Sequence, residues 1–272
     1  MIAYACVYRR PVPRESERKR TAERATSNQM LRHFLDRYDR SFLDWGDDPS
    51  FFAAEQKLGD ARHASWGVCR ADVRGKLSVG DFVVFFAGIP RDRLWEYYWV
   101  GLGTVKRLVR NRHQIWTEKS LSVYRQFFNL LVEPARESLN HREHFYPEHT
   151  DWERRMASLY VLFDPDLSSF NISNPVHVST YRQDEGVPDQ WRRNTTVRRL
   201  EFLLFGNQIR RRLRTSKSGY GHVKLRLNGT DDQLSNLRSE LLTLLDSRMS
   251  RRLPISAPHS RLRSARSGAG CS

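Results

Sequence analysis

Aromatic residues are the side chains of this chain best suited to bind a flat ligand. Tryptophans at positions 45, 66 and 99 lie in or near aromatic stretches such as "YYWVG". A flat ring can stack on a nucleobase, and one stacked base contributes about 1–3 kcal/mol. Most of these rings are expected in the core. Trp45 and Trp66 are the strongest pocket candidates because polar groups lie beside them, and Asp47 or Asp48 could accept a hydrogen bond from an exocyclic amine.

Basic residues are the second group suited to such chemistry. The chain has 46 Lys and Arg against 31 Asp and Glu, a net charge of +15. Six arginines and no acid lie between Ser247 and Ser272, so the excess extends over the rest of the chain as well. Such a field attracts polyanions. We expect phosphate contacts from two sets of residues, the first Arg74, Lys76, Arg192 and Arg193, and the second the dense run Arg210, Arg211, Arg212, Arg214 and Lys217.

The sequence gives little support for a metal site or for nucleophilic catalysis. Asp48, Glu55 and Lys57 only weakly match a nuclease pattern, because "AAEQKLGD" indicates a turn or short helix where a core strand is needed. The histidines of residues Asn140–Trp152 are more typical of a solvated loop than of a zinc site. The three cysteines are too sparse for a disulfide framework. We expect no metal and no cofactor.

The location is predicted from what the chain lacks. Its longest apolar run, Phe82–Ile89, is far shorter than the about 20 residues of a membrane span. The first residues do not have the form of a signal peptide. A cytoplasmic protein that binds no membrane is expected.

Apolar periodicity predicts an alternation of strands and helices. Gly101 and Gly103 within one strand indicate a bulge or a close backbone approach. Thr230 and Gln233 have the spacing of a capping box. Helices are predicted after Ser27, over Val197–Phe205, and from Thr230 to near Arg248. The predicted strands are Met1–Tyr8, Trp66–Arg70, Phe82–Ala87, Tyr97–Val109, Phe127–Val132, Leu159–Phe163 and His222–Leu227.

Three segments in this order resemble the PUA-like superfamily, which includes the EVE, YTH and ASCH domains. They are "YACVYRR", "ASWGVCRADVRGKLSVGDFVVFFAGI" and "YYWVGLGTVKRL". The set is most similar to the nucleotide-modification-associated domains, in which a D-x-G turn (Asp44–Gly46), a strand that ends in Cys and a basic residue (Cys69 and Arg70), and V-G-D occur in sequence. The resemblance implies a curved sheet with flanking helices and a cleft for a single flipped or modified base.

Together these patterns predict an α+β, PUA-like curved mixed sheet or pseudo-barrel that binds nucleic acid, DNA in preference to RNA, in DNA modification or restriction. The PUA-like domain is expected over residues 1–228 with a basic insertion at 9–26, followed by a helix over 229–248 and a disordered Arg- and Ser-rich tail over 249–272. The alternatives are an enzyme that acts on a modified base or nucleoside, as ASCH-type relatives include amidohydrolases, and a non-catalytic RNA-binding factor. The expected base-binding residues are Trp45, Asp47, Asp48, Trp66, Cys69, Arg70 and Trp99.

Overall fold

A mixed β-sheet with helices on it forms the centre of the computed structural model. The structure describes residues 1–9, 49–50, 63–67, 69–91, 94–130, 158–170, 175–182, 192–206 and 224–249. Its strands are β1 (Ala3–Arg9), β2 (Ser65–Trp66), β3 (Phe82–Arg91), β4 (Leu94–Val109), β5 (Tyr160–Phe163), β6 (Ser169–Phe170), β7 (Val176–Arg182) and β8 (Lys224–Leu227). Its α-helices are α1 (Ala71–Arg74), α2 (Gln114–Thr117), α3 (Thr195–Phe205) and α4 (Asp231–Met249), and 3₁₀ helices cover Lys119–Gln126 and Phe128–Leu130.

The eight strands form one open sheet in the order β2-β5-β4-β3-β1-β8, with β6 and β7 also paired to β4. β1 pairs parallel with β3, and β3 pairs antiparallel with β4. The second edge of the long β4 is shared by β7, β6 and β5 in turn. The predicted mixed sheet with flanking helices is therefore confirmed. The described strands do not close into a barrel, because β2 and β8 remain at opposite ends of this order.

The central strands are buried on both faces of the sheet, which explains their nearly continuous apolar sequences. We call the side covered by α3 and α4 the helical face; it contains Ala3, Ala5, Val7, Phe82, Val84, Phe86, Val197, Leu200, Leu241 and Leu245. We call the opposite side the aromatic face; it contains Tyr4, Cys6, Tyr8, Trp66, Val73, Val83, Phe85 and Phe163.

Both explanations offered for the alternating glycines are confirmed. The register between β3 and β4 shifts between Phe85 and Phe86, opposite Gly101, so this is a bulge. A Cβ atom on Gly103 would lie 2.7 Å from the ring of Phe163. At Gly101 it would collide with the backbone of Ser169 and Phe170. The two glycines therefore let β6 and the aromatic rings of the aromatic face approach the backbone of β4.

Side-chain caps fix the starts of the two long helices. The Asn194 side chain accepts a hydrogen bond from the Val197 amide at 2.8 Å and begins α3. The capping box of α4 is confirmed, since the Thr230 amide donates to Gln233 Oε1 at 2.9 Å and the Gln233 amide donates back to Thr230 Oγ1 at 3.3 Å. The apolar stripe of α4 packs on the helical face together with α3, so this helix shares the core of the preceding residues.

Two predicted strands are wrong in part. In the predicted strand Trp66–Arg70 only Trp66 pairs as a strand, together with Ser65, and Arg70 adopts a left-handed conformation with φ of 57° at the start of α1. In the predicted strand Phe127–Val132, residues Phe128–Leu130 form a 3₁₀ helix instead. The helix predicted after Ser27 falls outside the described residues. Among the described helices, none combines the length and apolar character that crossing a bilayer requires.

Candidate functional site

Trp66 lies at the centre of a group of aromatic rings on the aromatic face. Its ring is fully buried, with its centroid 5.5 Å from that of Phe85 and 6.0 Å from that of Tyr8 in edge-to-face arrangements. Short strand β2 holds it there by pairing with Val161 of β5. The indole Nε1 is buried and has no hydrogen-bond partner within the part of the chain that the structure describes. A buried donor without an acceptor is rare in native proteins and marks a position to explain.

Arg70 brings a positive charge to the same face. Its Nε lies 3.7 Å from Asp72 Oδ1, and its side chain is only 10% exposed. The same carboxylate accepts a hydrogen bond from Lys224 of β8. Burial acts to raise the pKa of Asp72, but the hydrogen bond from Lys224 and the charge of Arg70 outweigh it and hold that pKa below its ordinary value. Among the described residues, two cations thus share one carboxylate.

Cys6 is not activated as a nucleophile. Burial raises the pKa of its thiol to about 12, while the charge of Arg70 acts in the opposite direction. At neutral pH Cys6 is therefore protonated and a poor nucleophile. Cys69 is half-buried, and its backbone carbonyl accepts a hydrogen bond from Arg74 Nε at 2.9 Å. Cys6 is therefore unsuited to act as a nucleophile in this environment.

Two buried arginines hold the connection between Trp66 and Arg70 in place. Arg74 donates to the carbonyls of Cys69 and Leu159, and Arg112 donates to the carbonyl of Gly67. Arg112 also donates to two carbonyls of the 3₁₀ segment, at Asn129 and Leu130, both at 3.1 Å. Arg74, which we expected to bind phosphate, is fully buried in this structure. Its guanidinium positions backbone instead of facing solvent.

Trp66 and Cys69 lie on the aromatic face, where the charge of Arg70 acts on the Cys6 thiol, whereas Trp99 lies on the other face. Trp99 is fully buried on the helical face, and its Nε1 donates to the Gly101 carbonyl at 3.1 Å. Of the predicted phosphate contacts, Lys76 is exposed after α1, and Arg192 and Arg193 are exposed before α3. These helices pack on opposite faces of the sheet. The remaining predicted residues, Trp45, Asp47, Asp48, Arg210, Arg211, Arg212, Arg214 and Lys217, lie outside the described residues.

Sequence reasoning missed three members of this group. Tyr8 was assigned only to a strand, although alternation along β1 places it on the same face as Cys6. Asp72 and Lys224 are 152 positions apart, and only the pairing of β8 with β1 brings them into contact. The alternation of β1 was a usable signal for Tyr8. No local signal identifies the pair of Asp72 and Lys224.

The described residues contain no group of three or more His, Cys, Asp and Glu side chains that could hold a metal ion. No protein-family model matches this chain, and no significant match was found among curated proteins or solved structures. The functional argument therefore depends on the geometry and charge described above.

Proposed function

We propose that this protein binds nucleic acid and reads a modified or flipped base in DNA through the polar groups around Trp66 and Arg70. A single observation carries the proposal: a fully buried indole donor has no acceptor among the described residues, on the face where two cations share one carboxylate. Base recognition uses such donors at the base edge, and the cationic surroundings suit a phosphate-bearing ligand. The resemblance to nucleotide-modification-associated domains favours DNA as the nucleic acid.

The net charge supports the polyanion part of this proposal. A chain of +15 attracts nucleic acid without sequence preference, and this attraction weakens as salt rises. Lys76, Lys224 and Arg226 are exposed around the aromatic face, since Lys224 and Arg226 pair with Cys6 and Tyr4 of that face. Arg226 extends the cationic surface beyond the pair of Asp72 and Lys224.

The closed packing of Trp66 changes the expected role of this residue. Because neither the ring nor Nε1 of Trp66 is exposed, recognition in our proposal requires the packing around Trp66 to open before a base can reach Nε1 and Arg70, and a stacked ring is supplied by another residue. Replacement by Ala would empty a large buried volume, which costs about 3–5 kcal/mol and threatens the fold. Trp66→Phe is the sharper substitution, because it keeps an aromatic ring and removes the donor.

The experiment compares Trp66→Phe with Trp99→Phe, which makes the same chemical change on the helical face. Affinities are measured by fluorescence anisotropy on one duplex, plain and with a panel of single base modifications, at several salt concentrations. Wild type should prefer one modified duplex. Trp66→Phe should reduce that preference by about 5-fold or more, the effect of one lost hydrogen bond, with unchanged affinity for the plain duplex. Trp99→Phe should keep the preference.

Either of two results would refute the proposal. One is a wild-type protein that treats every duplex alike at moderate salt. The other is an unchanged preference in a folded Trp66→Phe variant. Release of an altered base during long incubation would favour the enzyme alternative, and a preference for RNA regardless of modification would favour the RNA-binding factor.

A further inference from the structure

The outer side of α3 presents a basic surface with an exposed aromatic ring. Its buried stripe consists of Val197, Leu200 and Leu204, which pack on the helical face. Arg198, Arg199 and Phe202 therefore point outward, at the helical spacing of three and four residues. Phe202 is 54% exposed, and it is the single aromatic among the large apolar side chains exposed in the described ranges.

Arg199 is fixed against this ring. Its guanidinium carbon lies 5.5 Å from the centroid of Phe202, and its Nη2 donates to Glu240 of α4. The arginine side chain thus covers one part of the ring, while about half of Phe202 remains exposed. This combination of an exposed ring and a stacked guanidinium is the arrangement on which unpaired bases stack.

A cleft continues this surface toward the edge of the sheet. It has a volume of about 300 Å³ and lies between the end of α3, Phe202–Gly206, and the edge strand and following residue, Leu225–Asn228. None of its described lining residues is acidic. Arg192 and Arg193, before the N-terminus of α3, place exposed cations at the other end of the helix.

We infer that a single-stranded segment of nucleic acid docks on the outer side of α3, with a base against Phe202 and phosphates on the flanking arginines. This inference rests on the proposed nucleic-acid binding and adds a second surface, separate from Trp66. Charge complementarity selects the polyanion. The exposed ring selects the single strand, because the faces of bases in a duplex are already stacked on one another and cannot reach Phe202.

The test uses the full-length protein and a labelled 12-nucleotide single strand, DNA or RNA, together with the same DNA sequence as a blunt duplex. Phe202→Leu keeps an apolar side chain and removes the ring, and Val79→Leu is its control because Val79 is 67% exposed elsewhere. Phe202→Leu should weaken single-strand binding by about 5- to 100-fold, the contribution of one stacked base. Duplex binding should change less than 2-fold, and Val79→Leu should change neither.

Arg198→Ala provides the electrostatic arm of the experiment. This residue is exposed on α3. Its loss should lower the slope of log affinity against log salt by about 0.7 for the single strand, the value for one released counterion. The unlabelled strand should compete, whereas poly-glutamate of equal charge should not.

Three outcomes would overturn the inference while leaving the proposed function standing. They are an unchanged single-strand affinity in Phe202→Leu, an equal loss on single strand and duplex, and effective competition by poly-glutamate. A wild-type protein that binds none of these strands, plain or modified, would instead refute the proposed function as well. Circular dichroism of each variant confirms that it is folded before binding is measured.

Discussion

Substitution of Gly103 by alanine tests the close packing on which the aromatic face depends. The added Cβ would lie 2.7–3.0 Å from three ring atoms of Phe163. That ring is fully buried and packs 5.7 Å from Phe85 and 5.8 Å from Phe170, centroid to centroid. It has no free space into which to move. Overpacking of this kind costs about 1–3 kcal/mol, and we expect Gly103→Ala to lower the free energy of unfolding by this amount.

Thermal and urea denaturation measure the effect. At this chain size each kcal/mol lowers Tm by about 2–4 °C. Gly229→Ala is the control, since its added Cβ would lie no closer than 3.3 Å to any neighbour, and it should change stability by less than about 0.5 kcal/mol. In a double-mutant cycle, Phe163→Leu should relieve the cost of Gly103→Ala. Additive effects, or a Gly103→Ala protein as stable as wild type, would refute the proposed collision.

Two further substitutions probe buried groups of the site region. In the folded chain burial raises the pKa of the Cys6 thiol to about 12 from an ordinary 9.0. The protonated thiol therefore makes its full contribution to the free energy of unfolding below pH 9, and this contribution is lost as pH rises toward 12. The unfolding free energy of wild type relative to Cys6→Ala should therefore fall by up to about 1.4 kcal/mol per pH unit between pH 9 and 10.5; a constant difference in urea denaturation would count against this. Arg112→Met should cost about 3 kcal/mol or more, because it leaves the carbonyls of Gly67, Asn129 and Leu130 without their charged donor; a loss below 1 kcal/mol in the same assay would contradict the positioning role.

The strands of the sheet could be predicted from the sequence because their local pattern carries the information. Continuous apolar runs predicted β3 and β4. The spacing of Gly101 and Gly103 predicted both the bulge and the close approach of neighbouring residues to the backbone of β4. The capping box of Thr230 and Gln233 marked the start of α4 for the same reason. Each of these signals lies within a few residues of the feature that it predicts.

The grouping of the site residues could not be predicted from such signals. Trp99 and Trp66 were expected in one pocket, but strand alternation and the order of the sheet place them on opposite faces. The backbone of Arg70 is left-handed, with φ of 57°, which costs a non-glycine residue about 1–2 kcal/mol. Arg74 compensates by holding the preceding carbonyl. An arginine buried to position backbone has the same local sequence signature as one that faces a phosphate.

Strand β8 connects the two proposed binding surfaces. Because β1 and β3 are buried on both faces, the proposed phosphate contacts fall on the sheet edge and on the outer sides of the helices. Alternation along β8 directs Lys224 and Arg226 to the aromatic face and Leu225 and Leu227 to the helical face. Lys224 completes the charged group at Asp72, while the following residues line the cleft beside Phe202. A single strand of nucleic acid that leaves the cleft and follows β8 would therefore reach Arg70 and Trp66. This path is expected when one base of a locally opened duplex is read and its neighbours are held as a single strand.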